Sequence, residues 1–242
     1  MTVIFKRRFT FAIDDVVKNV IKAVTDAVET VSTSTNNNTQ NNTSSISSIN
    51  DLPDIVYHGT ISTYKDSLLS GINVKAGFKS ADFGQGFYTT SNYGQAKKLA
   101  IDRAKAYNKR YPNRHPAQPM ILYYRIDKLK LSHFKGLFFT SPDNKWKEFI
   151  YNNRVGIDFL VSKYYNKDGK YDYVYGYVAD SNITDMVGYV QRQQITFGDF
   201  IDILKVLKQF DYNQLSFHTD KVVSVLELQE IEIIEMEAIL IE

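Results

Sequence analysis

The sequence predicts an α+β fold. Two observations carry that expectation. Short strand-like runs alternate with helical ones after residue 55, and the connections between them vary too much in length for a regular doubly wound sheet. A third observation sets a boundary. Residues 32–50 are almost wholly Ser, Thr, Asn and Gln, with Ile46 and Ile49 the only aliphatic residues. Such a segment cannot bury enough surface to offset its ordering entropy, so it reads as a flexible linker. The chain of 242 residues therefore divides into a helix over 1–31, a linker over 32–50 and a domain over 51–242.

The first segment is amphipathic. Ile13, Val17, Val20, Val24, Ala27 and Val31 recur at alternating spacings of four and three, which is a heptad seam of coiled-coil type. Val16, Ile21, Ala23 and Val28 widen the apolar face. A face that wide needs a cover, so residues 11–31 are read as a surface for self-association or for a partner helix. Asp14, Asp15, Asp26 and Glu29 interleaved with Lys18 and Lys22 weaken a membrane reading.

Within the domain, residues 55–57 read as a buried strand ending in His58-Gly59-Thr60. Residues 62–69 read as a helix capped by Ser62 and stopped by Gly71. Residues 77–86 form a glycine-containing loop that leads into a strand at 87–90. An Ala- and Lys-rich helix follows over 93–107, a strong strand over 120–126 and a short helix over 145–153. Alternating Tyr and Val mark a strand over 171–179. Thr196 caps a helix over 196–210, with Phe197, Phe200, Ile201, Leu204 and Leu207 on one face. Strands over 214–219 and 224–234 close the domain.

Composition limits the chemistry. The absence of cysteine excludes disulfides, thiolate metal sites and a cysteine nucleophile. Four scattered histidines without matching acidic spacing give no metal site. The net charge of +2 implies no polyanion partner by itself. The stretch from Lys97 to Arg114 is locally basic, however, and either solvates a helix face or meets phosphates. No run reaches the ~20 apolar residues of a membrane span. Asp14, Asp15, Lys18 and Lys22 interrupt any secretory core, so a cytoplasmic location, in the producing or a target cell, is expected.

Three stations stand out as chemistry. Tyr57-His58-Gly59-Thr60 puts an imidazole at a strand end, beside a glycine whose backbone can approach a ligand closely. Asp82-Phe83-Gly84-Gln85-Gly86-Phe87-Tyr88-Thr89-Thr90 is a loop that leads into an aromatic strand. In the third, Gln214, Ser216 and His218 share one face of a late strand. In this order the motifs resemble the ADP-ribosyltransferase superfamily, in particular the His-Tyr-Glu branch shared by diphtheria-toxin-like enzymes and the poly-ADP-ribose polymerases. The likeness is nearest to a bacterial group that also carries segments like those at 146–154, 171–180 and 214–219 here.

The resemblance implies a split β-sheet with flanking helices and NAD in the cleft between its halves. It implies a mono-ADP-ribosyltransferase, a glycosyltransferase-class enzyme that releases nicotinamide. Such an enzyme acts as a toxin or effector on a macromolecular acceptor, protein first and nucleic acid second. His58 would bind a ribose hydroxyl, the Gly59 backbone the nicotinamide carboxamide, and the Tyr88 ring the nicotinamide. Thr60 and the loop residues Asp82, Phe83, Gly84 and Gly86 would line the donor site. Arg154 would reach the diphosphate or pair with an acid.

The better-known enzymes carry glutamate where this chain has Gln214. An amide can hydrogen-bond but cannot take a proton, and general-base help is worth ~10²–10⁴-fold. Gln214 should therefore preserve NAD binding better than transfer, which keeps open a weak or inactive NAD- or ADP-ribose-binding module. Glu148 is the first candidate for a substitute carboxylate, against a plain surface pair on its helix. His218 is a second candidate for acid/base work, and Asp180 is read as a turn residue.

Overall fold

A computed structural model describes residues 46–155, 166, 170–179, 181–204 and 212–236. The heptad segment, most of the polar linker and Asp180 lie outside the described residues.

Ile46 and Ile49 pack against the hydrophobic core, and Ser48 and Asp51 form a reciprocal capping box around the turn Ile49–Asp51. The end of the segment read as linker therefore belongs to the domain, because its two aliphatic residues have somewhere to go. β1 (Ile55–Ile61) follows and runs straight through His58, Gly59 and Thr60. The sequence reading ended this strand at Tyr57. The neighbouring strand pairs with all seven of its residues and carries it on. Ser62 does not cap the next helix. It opens a 3₁₀ turn, and its Oγ accepts from the Gln118 N–H before α1 (Lys65–Ser70) ends at Gly71.

β2 (Phe87–Thr89) leads to α2 (Tyr93–Arg110), whose N-terminus is capped by the Asn92 side chain on the Gln95 N–H. β3 (Pro119–Ile126), α3 (Lys128–Leu131) and β4 (Gly136–Phe138) come next, then α4 (Asn144–Val155) and β5 (Tyr173–Tyr177). α5 (Ser181–Gln191) and α6 (Phe197–Leu204) precede β6 (Asn213–Phe217) and β7 (Leu226–Ile233). Thr196 caps α6 as expected, trading hydrogen bonds with Asp199. The later part of that predicted helix, 205–210, lies outside the described residues. α3, β4 and α5 are additions to the sequence reading. α3 and β4 are too short for periodicity to register, and α5 carries Gly188 inside it.

The strands form two sheets. One is β1-β3-β7, antiparallel with β3 in the centre, and the other is β2-β6-β5-β4, with only β5 and β4 parallel. The sheets touch through an isolated bridge in which the Tyr57 N–H donates to the Thr90 carbonyl and the Thr90 N–H to the Tyr57 carbonyl. Beyond it β1 and β2 part. One core cluster joins Met120, Leu122 and Tyr124 of β3 to Phe87, Leu215 and Phe217 of the second sheet. α2 covers the first sheet through Ala96, Ala100 and Ala104, small residues that let a helix lie close on a strand.

Candidate functional site

The place where β1 and β2 part gathers the three stations. Tyr88 O points toward β1, but no β1 backbone donor meets it. The His58 side chain does so instead, with Nδ1 at 2.7 Å. A carbonyl only accepts, so Nδ1 carries the proton and Nε2 is left as a bare acceptor. That Nε2 has no hydrogen-bond partner among the described residues. The ring stacks on Phe87 at 4.4 Å. Burial, aided by the Arg103 charge, lowers its pKa from 6.5 to about 4, so His58 is neutral near pH 7.

Gly59 sits one residue further along β1. Tyr57 turns its N–H and C=O to the open edge, and by two-residue alternation Gly59 does the same. Its carbonyl accepts from Arg103 Nη1 at 2.8 Å. The space above it is not free for a ligand, as the sequence reading supposed. A Cβ there would stand 2.1 Å from the Ala96 carbonyl oxygen of α2. The glycine is required by the helix, and what it offers a ligand is its edge. Thr60, next along, is buried.

The loop before β2 is held by each of its motif residues. Phe83 is fully buried against Phe139 and Phe149. Gly84 takes φ +93°, which side-chain-bearing residues rarely adopt. The Tyr88 hydroxyl donates to Gly84 O at 2.6 Å and accepts from Phe83 N–H at 3.0 Å, so the ring is pinned at its tip. Burial first, and the Asp82 charge second, raise its pKa well above 10.0. Gly86 lies against the Phe217 carbonyl and the His218 ring.

Asp82 anchors the other end. Arg154 reaches its Oδ1 through Nε at 2.8 Å and through Nη2. Its Oδ2 accepts from Ala179 N–H and from Gln214 Nε2, both at 3.0 Å. The alternatives for Arg154 thus resolve in favour of an acid partner. Gln214 Nε2 also donates to Tyr177 O at 3.1 Å, a carbonyl that Trp146 Nε1 shares at 3.2 Å. Both partners of that nitrogen are acceptors, which fixes the amide's orientation. Gln214 Oε1 then accepts nothing from the described residues and is not sealed from solvent. Tyr88 lies opposite Ser216 across the β2–β6 pair, so the Tyr88 ring and Gln214 are on one face.

Glu148 is not part of this group. It is half-buried on α4 and forms no hydrogen bond or ion pair among the described residues. The carboxylate beside Gln214 is Asp82, because α4 turns Arg154 toward the loop and Trp146 toward β5. His218 is also committed. Its Nδ1 donates to Gln85 O at 2.9 Å, and its Nε2 lies 2.8 Å from the buried Ser216 Oγ, whose one proton is shared between that nitrogen and the Val174 carbonyl. Burial lowers its pKa from 6.5 to about 4. It ties the loop to β6 and has no nitrogen free for acid/base work. Sequence reasoning opened the third station with Asn213 but gave it no role; it accepts from Ser91 N–H at 3.0 Å and so fastens the start of β6 to the start of α2. Its position beside Gln214 was the available signal. Among the described residues no group of three or more His, Asp or Glu could hold a metal ion, and no helix is long and apolar enough to cross a membrane.

Both depressed imidazoles make stability acid-sensitive. Between pH 4 and 6.5 each binds fewer protons folded than unfolded, so stability rises with pH through that window and is complete above it. Acidification from pH 7 to 4.5 should cost up to about 3 kcal/mol for each. Urea unfolding at the two pH values, with His218→Gln as control for its share, measures this. An equal midpoint at both would contradict it.

The class so defined is an α+β domain whose two sheets diverge around a neutral imidazole, a pinned tyrosine and an oriented amide. A family model described as "Protein of unknown function (DUF3990)" matches residues 55–228, and the chain belongs to that family. No curated protein and no solved structure matches it.

Proposed function

We propose that the chain is an NAD-dependent mono-ADP-ribosyltransferase whose donor site is the seam between β1 and β2. The observation that carries this reading is the parting of the sheets just beyond the Tyr57–Thr90 bridge, with His58, Gly59, Tyr88 and Gln214 around it. This is the arrangement expected of a split sheet that takes NAD between its halves. His58 Nε2 and Gln214 Oε1 are acceptors that meet no donor among the described residues, and they suit ribose hydroxyls. The edge N–H of Gly59 suits a carboxamide oxygen, and the Tyr88 ring suits a flat heterocycle.

In the reaction the bond between nicotinamide nitrogen and ribose C1 breaks, and its electron pair leaves with neutral nicotinamide. The oxocarbenium-like sugar is then captured by an acceptor nucleophile, which loses its proton. The chain's contribution is to hold the donor in a strained, fixed geometry and to place dipoles around the developing charge. The acceptor is a macromolecule, protein in the first instance.

One observation favours a second reading, an NAD- or ADP-ribose-binding module without turnover. Asp82, the carboxylate beside Gln214, has both oxygens occupied, which leaves it poorly placed to take the acceptor's proton. Nicotinamide release from labelled NAD, with and without cell lysate, separates the two. The transferase releases nicotinamide and labels a lysate component. A module binds NAD by calorimetry and releases none. Folded protein that neither binds nor cleaves NAD sinks both.

A further inference from the structure

Asp82 accounts for the glutamine at position 214. Two carboxylate oxygens offer about four lone-pair sites. Four donors converge on them, namely Arg154 Nε and Nη2, Ala179 N–H and Gln214 Nε2. The group is buried, with Asp82 and Gln214 each 7% exposed. A glutamate at 214 would set a second carboxylate against Asp82 Oδ2 and against the Tyr177 carbonyl, where the amide now donates to both. Like charges that close cannot both ionise, so one carboxyl would have to keep a proton.

We propose that Asp82 is a positioning residue for Gln214. It holds the amide with Nε2 inward and Oε1 outward as a ligand-facing acceptor, and so dictates an amide rather than a carboxylate at 214. The part played by Oε1 toward ligand rests on the reading of the seam as an NAD site. The Asp82–Gln214 pairing does not. The other ionisable groups facing the pair are Arg154 from α4 and Tyr88 from β2, while β5 and the second residue after it contribute the Tyr177 carbonyl and the Ala179 N–H.

Two measurements test this. The first is the unfolding temperature of Gln214→Glu against wild type from pH 5 to 8. The introduced carboxyl has a folded pKa raised above its unfolded value, so its penalty is small at low pH and grows as pH rises. At pH 5 the protonated carboxyl donates its one proton to Asp82 while Trp146 Nε1 still serves the Tyr177 carbonyl, and the variant should unfold within about 2 °C of wild type. At pH 8 it should unfold about 5 °C or more below wild type, and Asp82→Asn added to it should recover at least half of that loss, since an amide then faces the new carboxylate. A pH-independent difference, or no recovery in the double variant, overturns the pairing.

The second is calorimetric titration of NAD into wild type and into Asp82→Asn, each shown to be folded by circular dichroism. Affinity should fall about ten-fold in the variant, because asparagine offers half the acceptor sites and the Gln214 amide loses its fixed orientation. Unchanged affinity overturns the positioning role. If wild type itself fails to bind NAD, the reading of the seam fails with the role toward that ligand, and the unfolding measurement still decides the pairing.

Discussion

A Gly59→Ala protein should lose about 3 kcal/mol of stability, near the upper end of what overpacking costs. The reason is geometric. A Cβ on residue 59 would lie 2.1 Å from the Ala96 carbonyl oxygen and 2.9 Å from its carbonyl carbon. Both are backbone atoms, so no side chain can rotate out of the way. α2 would have to lift from the first sheet, and the Ala96–Ala100–Ile121 cluster and the Ala104–Ile61 contact would open with it. Arg103 would lose its hold on the Gly59 carbonyl in the same movement. Denaturant unfolding of wild type and variant measures the loss. A change below about 1 kcal/mol would mean that the helix can shift freely, against the close packing of its alanine stripe. Ala96→Gly cannot relieve the clash, since the offending atoms are not side chain.

The largest functional effect is expected at His58. On the proposed transferase reading, His58→Ala should reduce nicotinamide release by at least about a hundred-fold, the scale on which a single positioned polar group acts at a developing charge. Two losses combine. The Nε2 acceptor disappears, and the Tyr88 carbonyl loses the side-chain donor that meets it. Leaving that group unpaired costs stability as well, about 1–3 kcal/mol. His58→Gln distinguishes the two, because its amide can still donate to the carbonyl. It should recover stability and little of the rate. Since the wild-type imidazole stays neutral down to about pH 4, the rate attributable to His58 should be flat from pH 6 to 8 and fall below about pH 5. A His58→Ala protein that releases nicotinamide at the wild-type rate would falsify this assignment.

The strong strand β3 and the alternating strand β5 were legible in the sequence, as were the Thr196 cap and the Gly71 stop. Each is signalled by residue types within a few positions of chain. β1 was read too short, because its second half is held by hydrogen bonds to a strand some sixty residues away. Ser62 looked like a cap and instead serves Gln118. The same distinction governs the site. Residues at 58, 88 and 214 were found from motif order and strand alternation. The pairings of Asp82 with Gln214 and Arg154, both of them residues the motifs also supplied, were not, because Asp82 meets Gln214 across 132 positions of chain and Arg154 across 72.

Glu148 was chosen for its charge and its place in a motif, and charge alone says nothing about which way a helix turns a side chain. The sequence by itself determined most of the element types, the chemistry available and the three stations, since those follow from local pattern and residue type. Tertiary structure decided which imidazole nitrogen is bare, which end of the Gln214 amide points outward and which carboxylate stands beside it. Each of these depends on an acceptor or donor from another element, and a hydrogen bond is set by where its partner lies in space, not by where it lies in the chain.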